Sequence, residues 1–141
     1  MEVNQNVFRN ANQLLSREDI CMLSPLQLAY IGDAVYELLV RTYILDKGLN
    51  VNQIHKKATK YVKANAQSEI IHYIEEYLTE EEKGIVKRGR NAKTNTSPKN
   101  SSMIDYKYAT GFESLFGYLY LSEQFNRISK LFDLIKEFDN N

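Results

Sequence analysis

The chain has 141 residues, 43% apolar and 26% charged, with 18 basic against 18 acidic side chains; that length favours one domain able to bury its own core, and the composition is that of an ordinary globular protein. Its one cysteine, Cys21, excludes an internal disulfide and suggests a reducing compartment. No apolar stretch reaches the ~18 residues of a membrane span, and residues 1–5 lack the basic and apolar parts of a signal peptide, so the expected location is cytoplasmic with no membrane partner.

Taken in chain order, residues 1–22 read as a weakly helical N-terminal arm. Val7, Phe8, Ala11, Leu14 and Leu15 recur at helical spacing, and Ser16 followed by Asp19 can start a further turn. Ser24 as N-cap and Pro25 in the first turn then open a long helix, predicted over 25–47 with Gly48 as its stop. It is the most apolar run of the chain and is expected to be mostly buried. Asn50 or Asn52 can cap the next helix, 52–62, with Ile54, Ala58, Tyr61 and Val62 inward and lysines outward. A third segment, 64–78, carries Ile70, Ile71, Tyr73, Ile74, Tyr77 and Leu78. Thr79 to Glu82 form a capping box ahead of a helix that ends near Arg90. Its glutamates suit the positive pole of the helix dipole and its late basic residues the negative pole. Asn91 to Ser102 has no period and reads as an exposed loop of about a dozen residues, long enough to suspect a function. Asp105 can cap a helix running to about Leu121, and a last amphipathic helix spans about 125–138. No strand, repeat or low-complexity run stands out, so the expected class is all-α. His55, His72 and Cys21 lack zinc-ligand spacing, and His72 reads as a packed or surface histidine.

Charge is segregated along this series. Six basic residues and no acidic one lie between Lys83 and Ile104: Lys83, Lys87, Arg88, Arg90, Lys93 and Lys99. Lys56, Lys57, Lys60 and Lys63 form a second basic segment, while five glutamates fall between Glu75 and Glu82. A polyanion would thus meet two basic segments on a chain of zero net charge. A solvated face is the other reading of the 56–63 lysines.

Two carboxylates interrupt apolar helical faces. At about 100° per residue, Ala29, Asp33, Glu37 and Arg41 fall on one side of the long helix, and Glu113 interrupts the apolar side of the later one. Glu37 can pair with Arg41 at i,i+4, making a solvated stripe. Alternatively, Asp33 faces a divalent ion together with a second carboxylate, because an unpaired buried charge is costly. Gly32 beside it would admit another helix or a ligand.

Ala29-Tyr30-Ile31-Gly32-Asp33-Ala34 resembles the signature helix of the ribonuclease III family, Glu-aromatic-aliphatic-Gly-Asp-small. Thr110-Gly111-Phe112-Glu113-Ser114 resembles its second element, Asp-x-x-Glu-small. His55-Lys56-Lys57, Lys87 to Lys93, Ser97-Pro98-Lys99-Asn100 and Tyr106-Lys107-Tyr108 are similar to the short branch called Mini-ribonuclease III, over roughly residues 23 to 125.

The resemblance implies one ribonuclease III-like helical endonuclease domain, with residues 1–22 as an arm and 23–141 as the catalytic part. It implies an Mg²⁺-dependent endoribonuclease for double-stranded RNA, with Mn²⁺ able to substitute, that matures precursor 23S ribosomal RNA as a two-fold homodimer. A ribosomal protein helper is a further candidate partner. Asp33 and Glu113 are then the catalytic and metal-binding residues, with Glu37 and Thr110 beside them. Two of the four acids of the longer relatives are replaced, by Ala29 and Thr110. No double-stranded RNA-binding domain follows residue 141 in this sequence, so duplex contact falls to Arg88, Arg90, Asn91, Lys93, Lys99, Asn100, Lys56 and Lys57. The rival readings are a catalytically silent RNA-binding protein of the same fold and an unrelated helical interaction protein.

Overall fold

The computed structural model describes residues 6–93 and 102–139. Among these residues seven α-helices form in order: α1 (Arg17–Met22), α2 (Pro25–Ile44), α3 (Val51–Val62), α4 (Ala64–Ile74), α5 (Glu80–Arg90), α6 (Met103–Leu121) and α7 (Phe125–Asp139). Short 3-10 turns occupy Arg9–Asn12 and Glu75–Tyr77, and no strand occurs among the described residues. The all-α expectation holds. No described helix is long and apolar enough to cross a membrane.

Most helix starts follow the local chemistry read from the sequence, and of the two candidates Asn50 and Asn52 it is Asn50 that caps the helix, which begins one residue earlier than expected, at Val51. Ser16, Ser24, Asn50 and Thr79 each accept the N–H of the residue three further on, and Asp19, Gln27, Gln53 and Glu82 return the bond. Each box satisfies two N–H groups that a helix start otherwise leaves unpaired. The α6 start differs from expectation. Ser102 is its N-cap, accepting from the Asp105 N–H at 3.1 Å, so Asp105 lies inside the first turn. α2 also ends earlier than expected, at Ile44, because Leu45 is extended. The Asp46 carboxylate then takes the Gly48 N–H at 2.8 Å, and the turn is complete before the glycine. The 64–78 segment is α4 followed by a 3-10 turn.

The axis of the fold is α6. Ala109–Phe112, Ser114–Gly117, Leu119 and Leu121 are all buried, and α2, α4 and α5 all lie against it. Tyr36 of α2 meets Phe112 edge-on at 4.6 Å between ring centres, and its hydroxyl donates to the Tyr61 carbonyl at 3.0 Å. Edge-on aromatic pairs of this kind contribute about 0.5–1.5 kcal/mol beyond their buried area. α2 itself is buried on one side only, through Leu28, Ala29, Gly32, Tyr36, Val40 and Ile44. Tyr30 (85% exposed) and Leu38 (56%) face outward, so the expectation of a mostly buried helix fails in the single chain.

Two ties reach across the fold. Arg9, in the N-terminal arm, donates from Nε to the Leu121 carbonyl at 2.6 Å, satisfying an oxygen at the end of α6. Arg127 of α7 grips buried Glu82 with two 2.8 Å bonds and also donates to the Tyr77 carbonyl. Burial raises the Glu82 pKa, but the bonds from Arg127 and the Thr79 N–H prevail and hold it below the usual carboxylate range.

Candidate active site

α2 and α6 cross backbone against backbone. A Cβ on Gly32 would overlap the Glu113 carbonyl oxygen, and one on Gly117 would overlap the Leu28 carbonyl oxygen. Only glycine permits this approach. The next residue after Gly32 is Asp33, so the crossing itself sets Asp33 beside Glu113. Fully buried Ser114 secures the same crossing, its one hydroxyl hydrogen shared between the carbonyls of Pro25 and Thr110 at 2.9 and 2.8 Å. On the other side of α6, Gly89 of α5 meets Gly111, where an added Cβ would lie 2.8 Å from the Gly111 Cα.

The crossing opens into a cleft of about 930 Å³ lined by Ala29, Asp33, Glu37, Tyr106, Thr110 and Glu113 among others. Asp33 is exposed on its wall and Glu113 half-buried beneath. Burial, and then the Asp33 charge, push Glu113 up to about 8, while a hydrogen bond from the Gln67 side chain acts the other way. Glu113 therefore favours its protonated form at neutral pH. Glu37 lies in the same cleft, paired with Arg41 at 3.1 Å as the i,i+4 spacing predicted. The Thr110 hydroxyl donates to the Tyr106 carbonyl at 3.0 Å and presents no charge.

Among the described residues no cluster of three or more His, Cys, Asp or Glu could enclose a metal. The donor set is instead two converging carboxylates in an open cleft. That fits Mg²⁺, which keeps several waters and needs only one or two carboxylates.

Gln67 was not singled out from the sequence. It is 2% exposed on α4; its Nε2 donates to the Val62 carbonyl at 3.1 Å, and its Oε1 is buried with no partner. Such an orphaned acceptor costs about 1–3 kcal/mol. The signal was present in the helical period, since Gln67, Ile70, Ile71 and Ile74 share one stripe.

The expected RNA-contacting residues divide. Lys56 and Lys57 on α3, Arg88 on α5, Asn91 and Lys93 are exposed. Arg90 is half-buried: its guanidinium lies 5.2 Å over the Tyr108 ring and donates to the Tyr108 hydroxyl at 3.3 Å. His72, exposed, also lies against Tyr108, 4.3 Å ring to ring. Lys99 and Asn100 lie outside the described residues.

The described residues thus form an all-helical domain with two carboxylates brought into one cleft at a glycine-tight helix crossing. The Ribonuclease III domain family matches residues 26–124. The Mini-ribonuclease 3 of Thermoanaerobacter sp. (strain X514) is 50% identical over 135 residues, covering 95% of both chains. That of Clostridium tetani is 51% identical over 122 residues, covering 85% of this chain and 81% of its own. The crystal structure of a Fusobacterium nucleatum protein superposes with a TM-score of 0.77 at 36% identity, over 86% of this chain and 98% of that one. The chain belongs to the ribonuclease III family, on its Mini-ribonuclease III branch, and is an endoribonuclease of that type. The family acts on double-stranded RNA and generally uses divalent metal.

Proposed function

We propose that this chain is an Mg²⁺-dependent endoribonuclease that cuts double-stranded RNA, acts in the cytoplasm as a two-fold homodimer, and matures precursor 23S ribosomal RNA. The observation that carries the reading is the convergence of Asp33 and Glu113 in one cleft. When bound there, the cation supplies an activated water and stabilises the leaving oxygen. Asp33 and Glu113 would hold it, their carboxylates supplying the hard oxygen ligands. Mn²⁺ offers the same hard-ligand chemistry and substitutes. Glu37, paired with Arg41, lines the cleft edge, and Thr110, its hydroxyl bonded back to the Tyr106 carbonyl, lines it without adding charge.

Duplex RNA is held through phosphates and 2′-hydroxyls. The exposed Lys56, Lys57, Arg88, Asn91 and Lys93 suit that contact, joined by Arg90 at the end of α5 and by Lys99 and Asn100. The homodimer reading is supported by outward Tyr30 and Leu38 on α2, and by an apolar groove of about 680 Å³ lined in part by Ile31, Val35 and Leu39. The 23S precursor, and a ribosomal protein helper, rest on the Mini-ribonuclease III likeness.

The test is incubation of the pure protein with duplex RNA, with and without Mg²⁺, beside Asp33→Asn. Cleavage by wild type only with Mg²⁺, and none by Asp33→Asn despite equal duplex binding, is the expected result. Near-normal turnover by Asp33→Asn refutes the site. Ala29 and Thr110, where longer relatives carry acids, favour one second reading, a silent duplex-binding protein. Metal-independent binding without cleavage by wild type would establish it.

A further inference from the structure

Among the described residues, the cleft at the α2–α6 crossing is lined by three carboxylates, Asp33, Glu37 and Glu113, and by one basic side chain, Arg41. The described cations expected to hold duplex RNA stand elsewhere: Lys56 and Lys57 on α3, Arg88 and Arg90 on α5, and Lys93 just beyond it, none of them lining this cleft. A strand brought to Asp33 and Glu113 therefore carries its phosphates along a wall of three acids and one base. Like charges brought together in this way repel unless a cation stands between them.

Glu37 and Arg41 meet at 3.1 Å, Oε2 to Nη2, one helical turn apart. As helix neighbours they add little to stability, because the Arg41 side chain is 68% exposed and water screens such a pair. Arg41 also lies in the last turn of α2, where any cation suits the helix dipole. Lysine would serve both purposes as well. The pair is uneven in a way that neither purpose requires. Glu37 is 34% exposed and Arg41 twice as open, so the acid is the sheltered member and the guanidinium the one offered to the cleft. Arginine carries five N–H groups in a fixed plane, and the contact with Glu37 engages Nη2. The remainder of that fork matches two phosphate oxygens, which an ammonium group cannot do.

We propose that Arg41 is a substrate-binding residue of the cleft that takes a backbone phosphate of the RNA, and that Glu37 is the positioning residue that aims it. The inference rests on the duplex-RNA reading above. Asp33 and Arg41 stand two helical turns apart, about 12 Å along α2. A strand that places one phosphate at Asp33 and Glu113 therefore offers Arg41 a neighbouring phosphate of the same strand. Glu37 serves the RNA through Arg41, and Arg41 supplies the charge that lets a phosphate pass Glu37.

The test compares wild type, Arg41→Gln, Arg41→Lys and Glu37→Gln in duplex RNA binding against log salt, measured in chelator, and in steady-state cleavage with Mg²⁺. Melting temperatures are read beside them. Arg41→Gln should raise the duplex Kd and KM about tenfold, the scale of one charged hydrogen-bonded contact, and flatten the salt slope by about one unit. Arg41→Lys should recover the slope but not the affinity, because the charge is kept and the fork lost. Glu37→Gln should keep the slope and still raise KM, because the charge is kept and its aim lost. All three should melt close to wild type. An unchanged slope and KM in Arg41→Gln overturns the inference alone, and so does full recovery of affinity by Arg41→Lys or a wild-type KM in Glu37→Gln. Losses that appear only in step with a lowered melting temperature also overturn it. Failure of wild type itself to bind or cleave the duplex overturns the RNA reading and the inference together.

Discussion

Glu113→Gln should stabilise the metal-free protein while abolishing cleavage, and the stabilisation should depend on pH. Glu113 is pushed from the ordinary 4.5 up to about 8, by burial first and by Asp33 second. The folded state therefore holds a proton on this group that the unfolded state has lost, throughout the window between those two values. Stability contributed by that proton is complete below 4.5 and disappears as pH rises through about 8. At about 1.4 kcal/mol per pH unit the span sets a ceiling of about 5 kcal/mol. Solvent contact at the open cleft reduces the effect to about 1–2 kcal/mol. Glutamine keeps the shape and never ionises. The variant should thus melt with wild type at pH 5 and about 5 °C above it at pH 9, both in chelator. A gap that does not widen between pH 5 and pH 9, or a variant less stable at pH 9, refutes the reasoning. Mg²⁺ should close the gap in the opposite sense, by stabilising wild type alone.

Gly32→Ala, which drives a methyl into the Glu113 carbonyl oxygen, should cost about 3 kcal/mol or more and remove cleavage, read by denaturant melting and assay together; a near-native midpoint refutes the close crossing. Arg88→Ala with Lys93→Ala should weaken duplex binding and flatten its dependence on log salt by roughly one unit per lost contact, without moving the melting temperature. Adding Arg90→Ala should lower that temperature slightly, because its guanidinium is laid on Tyr108; an unchanged slope assigns these residues to the fold. Sedimentation at micromolar concentration should show a dimer, weakened by Leu38→Lys on the outward side of α2; a monomer refutes the shared face.

The range of each interaction decides whether the chain displays it or conceals it. The starts at Ser16, Ser24 and Thr79 were legible because a cap acts within four residues, whereas Asn50 stood beside Asn52 as an equal candidate and only the structure starts that helix at Val51. The early end of α2 was not, because Gly48 looks like a stop while Asp46 closes the turn ahead of it. Asp33 and Glu113 were legible one at a time, as charges breaking apolar faces. Only the likeness to a known family paired them, since no local rule links positions eighty residues apart. Gln67 escaped because a neutral amide breaks no charge pattern. Arg90 was read with its basic neighbours because charge counting cannot separate a solvated arginine from one stacked on a ring. Burial of α2 was overestimated because hydropathy records what a side chain prefers, and one chain has no second surface to offer Tyr30 and Leu38.

The arrangement explains how two carboxylates stay close without an enclosing cluster of ligands. α6 is met by main chain on two sides, at Gly32 and Gly117 by α2 and at Gly89 and Gly111 by α5. Backbone contacts of that kind cannot adjust by changing rotamer. The relation of Asp33 to Glu113 is therefore a property of the helix crossing rather than of the side chains packed around it. Exchanging one core side chain for another of similar volume, at Phe116 or Leu119 for instance, changes stability through packing and leaves the two acids in place. Adding a single methyl at Gly32 acts on the crossing itself. The most damaging substitutions in this chain should accordingly include positions that carry no chemistry at all.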